Sequence, residues 1–293
     1  MNRMRRRAFL ACPAAALARP AESWADRLGI LCQLGGTEQT ARAALAAARE
    51  AGFRRVQVNF PWTKVEAQYL KGLPSWLRSE QLRCDVLSAY VNCLQPGTIL
   101  MNTRAEDFAR ALDYAGEVGA SRLVAWTGSH SADLMKSEPR NAAGGAEDAI
   151  IRFLEPHFRK IESAGLRLAL ETYVTLACPD APSLRRMLDR LPASIGAVLD
   201  PPNLTPPARY AERDSVLREM FRTLRGRIVL VHMKDFRLAA DGKSYSLPGP
   251  LMGEMNYPLF VEQVRGLPAD VPIVAEHLDP KQFTEARQKL LAL

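Results

Sequence analysis

Eight short runs of apolar and β-branched residues recur along the 293-residue chain, each followed by a longer amphipathic stretch. The runs are Leu28–Leu34, Arg55–Phe60, Asp85–Asn92, Arg122–Thr127, Arg167–Thr172, Ile195–Asp200, Ile228–Lys234 and Val271–His277. Such runs read as strands and the stretches between them as helices. Thr37–Ala51 has a capping residue, an alanine-rich body and Gly52 just past its end. Ala105–Val118 stops before Gly119 and Gly145–Ala164 before Gly165, the glycine stop signal again. Ser183–Leu191, Ser215–Leu224, Tyr257–Val264 and Pro280–Leu291 complete the helices. The second unit is the least regular, because Pro74 is expected to split Thr63–Leu82 into two pieces.

Strict alternation of strand and helix predicts a parallel sheet with helical crossovers. Eight such units match a closed (β/α)8 barrel, the α/β TIM barrel of ~250 residues. An open, doubly wound sheet is the rival. It usually carries a glycine-rich phosphate turn after the first strand, and Gln33-Leu34-Gly35-Gly36-Thr37 has neither G-x-G-x-x-G nor a P-loop. No linker or low-complexity tract interrupts residues 26–293, which read as a single domain.

Residues 1–25 read as a leader rather than fold. Arg3, Arg5, Arg6 and Arg7 precede a small-residue apolar stretch from Ala8 to Ala18. Ala16-Leu17-Ala18 and, less typically, Ser23-Trp24-Ala25 are candidate cleavage sites. Arg6-Arg7-Ala8-Phe9-Leu10 resembles a twin-arginine export signal, which implies a periplasmic protein. Without a working leader the protein is cytoplasmic. The formal charge of +7 alone points to nucleic acid or an acidic surface, but removing the four leader arginines leaves +3. A nucleic-acid partner thereby loses its support. No later stretch reaches the ~18 apolar residues needed for a membrane anchor. None of the five cysteines forms a C-x-x-C pair, and buried free thiols are expected.

In a barrel of this kind the active site lies at the C-terminal ends of the strands. The fifth run brings Glu171 to its tip, the sixth Asp200, the seventh His232 and the eighth Glu276. Three carboxylates gathered on adjacent strands repel one another unless a cation joins them. With one imidazole they form a hard, oxygen-rich set that favours one divalent ion, Mn²⁺, Mg²⁺ or Co²⁺, over thiolate-seeking metals, with Zn²⁺ an alternative. Such an ion polarises sugar oxygens and acidifies a neighbouring proton.

These strand ends resemble the xylose-isomerase-like TIM barrels, the group of sugar phosphate isomerases and epimerases. The likeness runs from about Leu28 to Leu278 and rests on LALE, VLDPPN, VHMKD and VAEH in the last four strands, with Gly253-Glu254-Met255-Asn256-Tyr257 after the seventh. It implies a single metal held by Glu171, Asp200, His232 and Glu276. It also implies that Glu171 and Glu276 act as the catalytic acid and base. The resemblance departs at Glu171-Thr172-Tyr173, where relatives often have Glu-Asn-His, and at Asn203, where some epimerases have His. Arg237 is only an approximate counterpart of the epimerases' substrate arginine.

Further substrate-binding candidates are Lys234, which shares a strand face with His232, together with Asn203, Arg237, His130 and Asn92. Asn59 belongs with these, although Asn59, Asn92 and His130 also read as turn residues. Trp62 and Trp126 are candidates for a wall against a sugar face. His277, next to Glu276, is expected to point away from the lumen. The implied activity is isomerisation or epimerisation of a sugar or keto-sugar, by proton transfer next to a carbonyl through an enediolate on the metal. Elimination of water from a keto-polyol shares the first step, and a non-catalytic sugar-binding barrel is the other alternative. An abasic-site endonuclease needs a histidine-rich three-zinc cluster, and the chain has only His130, His157, His232 and His277. Export, with no dense Arg/Lys cluster at the strand tips, favours an unphosphorylated sugar. Barrels of this group often dimerise, so a homodimer is the assembly the resemblance allows.

Overall fold

The computed structural model describes residues 23–35, 37–101 and 103–293. Its strands are β1 (Leu28–Gln33), β2 (Arg55–Asn59), β3 (Arg83–Asn92), β4 (Arg122–Trp126), β5 (Arg167–Glu171), β6 (Ile195–Leu199), β7 (Ile228–Met233), β8 (Arg237–Leu238), β9 (Tyr245–Ser246) and β10 (Ile273–Ala275). All but β8 and β9 close into a barrel of order β1-β10-β7-β6-β5-β4-β3-β2. Every barrel pairing is parallel. The (β/α)8 TIM barrel expected from the alternation is the fold. The antiparallel pair β8–β9 is an addition the apolar runs did not signal.

The helices are α1 (Glu38–Glu50), α2 (Ala67–Ser79), α3 (Ala105–Glu117), α4 (Ala146–Leu154), α5 (Phe158–Ser163), α6 (Ala181–Leu188), α7 (Pro201–Leu204), α8 (Arg213–Thr223), α9 (Tyr257–Arg265) and α10 (Phe283–Leu291). Gly52, Gly119 and Gly165 follow α1, α3 and α5 with φ of 89°, 74° and 64°, the left-handed turn that ends a helix before the next strand.

Two helices depart from expectation. Pro74 does not split α2. A proline frees the carbonyl four residues earlier; here that is Leu70, and the Tyr114 hydroxyl donates to it at 2.6 Å. Conversely, Gly145–Ala164 is not one helix. A 3₁₀ turn at Glu155–His157, containing Pro156, separates α4 from α5.

Strand alternation divides the core. Ile30, Leu123, Leu168, Leu170 and Val231 face the helices in the larger cluster. Leu31, Val86, Val124, Ala169, Val198, Leu230 and Val274 belong to a second cluster inside the barrel. On β2, Val56 and Val58 belong to the outer cluster, so the residue between them, fully buried Gln57, turns inward. A polar side chain therefore enters the barrel interior from β2.

The leader assigned to residues 1–25 lies outside the described residues apart from Ser23, Trp24 and Ala25. Trp24 opens a 3₁₀ turn, Trp24–Arg27, and is buried in the outer core. The buried Arg27 donates to the carbonyls of Val264 and Pro268, at 3.0 and 2.9 Å. Cys32, Cys84, Cys93 and Cys178 are all free and buried. Among the described residues no helix is long and apolar enough to cross a membrane.

Candidate metal centre

Glu171 ends β5, Asp200 follows β6, His232 lies near the end of β7 and Glu276 follows β10. These strands are consecutive in the barrel, so the two glutamates stand at the ends of an arc with Asp200 and His232 between them. One ligand atom from each of the four residues lies within 4.8 Å of all the others, and all four residues are buried. His232 Nδ1 is 3.4 Å from Glu171 Oε2, 3.6 Å from Glu276 Oε2 and 3.9 Å from Asp200 Oδ2.

One atom of each of the four residues is already hydrogen-bonded. Lys234 donates to Asp200 Oδ2 at 2.6 Å and to Glu276 Oε1 at 2.7 Å. Asn203, on the short helix α7 that Pro201 and Pro202 open, donates to Glu171 Oε1 at 2.9 Å. His232 Nε2 bonds to Gln57 Oε1 at 2.9 Å. The Gln57 amide donates in turn to Ser88 Oγ at 3.0 Å and to the Tyr90 hydroxyl at 3.2 Å. With the glutamine oxygen accepting, Nε2 carries a proton, and Nδ1 is the nitrogen that faces the carboxylates.

Glu171 Oε2, Asp200 Oδ1 and His232 Nδ1 remain buried with no hydrogen-bond partner. Buried polar atoms without partners are costly, and one ligand atom of each of the four residues lies within 4.8 Å of the others. Three carboxylates and one ammonium leave a formal charge of −2 when the imidazole is neutral, which one divalent cation cancels. Oxygen ligands with one imidazole suit such an ion. The four residues can therefore hold a metal.

Without a cation, protons must do that work. Burial pushes the Asp200 carboxyl up to about 7 against the pull of Lys234. Burial alone would lower His232, but the Glu276 and Glu171 charges outweigh it and raise the imidazole to about 9. Burial also disfavours ionised Glu276, yet Lys234 and His232 hold its carboxyl down at about 2. Lys234 itself stays charged: burial opposes this, and Asp200 and Glu276 more than compensate.

Chain segments beyond the arc lock the lysine. Tyr257 donates to the Lys234 carbonyl at 3.0 Å. Asp235 accepts from the backbone N–H groups of Phe236 and Met255 at 2.8 and 2.9 Å. A Cβ on Gly253 would collide with Asp235 and Phe236. The Gly253-to-Tyr257 stretch thus clamps the backbone beside Lys234.

A cavity of about 440 Å³ is lined by two of the four residues, Glu171 and Glu276. Asn203, Lys234, Asn59 and Trp126 line it. Asn92, His130 and Arg237 do not. Asn92 is the buried last residue of β3, which accepts from the N–H groups of Gln95 and Ser129 and donates to the Ser129 carbonyl. His130 bonds to Gln95 and Asn141. Arg237 opens the β8–β9 hairpin, where its exposed side chain reaches the Met252 carbonyl and Glu254. Trp62 is packed outside the barrel, donating to the Ser88 carbonyl. His277 departs from expectation: it lines the cavity. β10 stops at Ala275, so strand alternation no longer governs His277, whose φ is 59°. Its Nδ1 lies 2.6 Å from the Leu247 carbonyl, and its Nε2 lies 4.0 Å from Glu276 Oε1.

Gln57 and Tyr90 were missed from the sequence. The legible signal was a glutamine set between two strand valines, where a parallel barrel buries both faces.

A model of the xylose isomerase-like TIM barrel family matches residues 45–293. The chain belongs to that family. No curated protein matches it by sequence. Among solved structures, a xylose isomerase-like TIM barrel protein from Mycobacterium smegmatis in complex with magnesium is 16% identical, with a TM-score of 0.67 over 88% of this chain and 89% of that one. The apo 3-keto-D-glucoside 4-epimerase of E. coli is also 16% identical, with a TM-score of 0.66 over 91% and 99%. An L-ribulose 3-epimerase is 15% identical, with a TM-score of 0.62 over 91% and 86%. At these identities the likeness shows the shared barrel.

Proposed function

We propose that this family member is a divalent-metal-dependent isomerase or epimerase of an unphosphorylated keto-sugar, exported by its leader. The observation that carries this reading is that Glu171, Asp200, His232 and Glu276 bring one ligand atom each within 4.8 Å of the others, with Glu171 Oε2, Asp200 Oδ1 and His232 Nδ1 unpartnered, beside a cavity that Glu171 and Glu276 line. Sugar epimerases among the similar structures support it, as does the magnesium of another.

Glu171, Asp200, His232 and Glu276 would hold the ion. When bound, it polarises a substrate carbonyl and lowers the pKa of the adjacent C–H. The chain's own residues do the rest. The glutamates at the two ends of the arc act as proton acceptor and donor on the carbon next to the carbonyl. Asn203 orients Glu171 through Oε1. Lys234 fixes Asp200 and Glu276 and offsets their charge. Gln57 sets the His232 tautomer. Reprotonation on the opposite face gives an epimer, and at the neighbouring carbon an isomer.

The test is solvent-deuterium incorporation into a panel of keto-sugars by the Mn²⁺-loaded protein. Exchange is expected, falling about 10²- to 10⁴-fold in Glu171→Gln and in Glu276→Gln. Unchanged exchange in both variants sinks the paired-glutamate mechanism.

A further inference from the structure

The cavity that Glu171 and Glu276 line has two unlike zones, and the outer one is unaccounted for by a bare sugar. Its floor is polar: Glu171, Asn203, Lys234 and Glu276. Its outer wall includes Trp126, Leu134, Met101 and Met135, faced by Leu247 and Leu278. Trp126 stacks on Tyr90, centroids 5.1 Å apart, and its indole N–H is taken by the Met101 sulfur at 3.2 Å. The wall therefore offers a sugar hydroxyl no donor from the indole. Met101 and Met135 nevertheless stand 43% and 54% exposed on loops that follow different strands, β3 and β4. Two flexible, polarisable thioethers at one cavity mouth form a surface that adapts to apolar ligands of varied shape.

Charge narrows the choice further. Among the described residues no arginine lines the cavity, and its one lysine, Lys234, is held by two carboxylates. A phosphorylated sugar would meet Glu171, Glu276 and Asp279 with no unpaired lysine or arginine side chain to receive its phosphate.

We infer that the substrate is a keto-glycoside: an uncharged sugar ring with a carbonyl at a ring carbon, seated on the polar floor and carrying an aryl or alkyl aglycone against Met101, Met135 and Trp126. This deepens the sugar reading above and rests on it. Packing an apolar group into such a wall discriminates by about ten- to two-hundredfold per group.

The test is calorimetric titration of the Mn²⁺-loaded protein with methyl, phenyl and octyl glycosides of glucose, galactose and xylose, and with glucose 6-phosphate. In at least one sugar series the phenyl or octyl glycoside is expected to bind about tenfold or more tightly than the methyl glycoside. That preference should disappear in the Met101→Ser, Met135→Ser double variant, whose exposed positions leave the barrel core intact. Equal affinity throughout a series that binds, tighter binding of the phosphate, or no binding by any glycoside overturns the inference. Deuterium exchange of free keto-sugars separates the two readings. Exchange without an aglycone preference leaves the isomerase standing and removes the glycoside. A preference without exchange does the reverse.

Discussion

Gln57 and His232, 175 residues apart in the chain, meet across the barrel interior in a 2.9 Å hydrogen bond. The bond fixes which imidazole nitrogen faces the carboxylates. Residues that orient a metal ligand in this way contribute about 10- to 100-fold to affinity. Gln57→Met keeps the side-chain volume and removes the acceptor. Mn²⁺ affinity, read by calorimetry, is expected to fall by about that factor with an unchanged far-UV spectrum. Unaltered affinity would show that the imidazole is held by packing alone.

The metal-free protein should lose stability as pH rises. Asp200 is raised from 3.8 to about 7 and His232 from 6.5 to about 9. The folded chain then binds more protons than the unfolded chain between those values, so stability falls as pH climbs. The Asp200 contribution is whole below 3.8 and gone above about 7; that of His232 is whole below 6.5 and gone above about 9. Glu276, lowered from 4.5 to about 2, acts oppositely and only in acid. Thermal melts in EDTA should show Tm declining from pH 6 to 9, with added Mn²⁺ flattening the slope. A Tm that rises with pH in EDTA contradicts this account.

Lys234 binds two buried carboxylates at once. Lys234→Met leaves both without their cation, and breaking a buried pair from one side costs about 3–5 kcal/mol. Urea unfolding of the metal-free variant should show a loss of that order, partly restored by Mn²⁺. A loss below about 1 kcal/mol, the range of a surface pair, would mean that the carboxylates find other partners.

Trp24 is 8% exposed within the outer core. If residues 1–25 act as the export leader proposed above, cleavage is therefore expected after Ala18 and not after Ala25. A chain beginning at Asp26 should be less stable than one beginning at Arg19 by about 3–5 kcal/mol, the cost of emptying a buried tryptophan site. Equal melting temperatures for the two would place Trp24 outside the stabilising core. N-terminal sequencing of secreted protein reads the cleavage site directly.

The strand–helix alternation, the glycine stops and the residues that end each strand are local signals. Val, Leu and Ile at short range specify a strand wherever it is placed, and a polar residue at its tip emerges at the barrel mouth. Glu171, Asp200, His232 and Glu276 were legible for that reason. Pro74 and His277 show where local rules fail: a Tyr114 hydroxyl satisfies the carbonyl that Pro74 frees, and a left-handed turn brings His277 to the cavity.

What the sequence determined by itself was the barrel and the four residues that ring its mouth. The tertiary structure decided the partners: Gln57 behind His232, Lys234 between Asp200 and Glu276, Asn203 on Glu171, and methionines over the entrance. It also left Arg237 on an outlying hairpin. Contacts of this kind join strands far apart in the chain. They are fixed by the register and closure of the barrel, which no single strand's sequence carries.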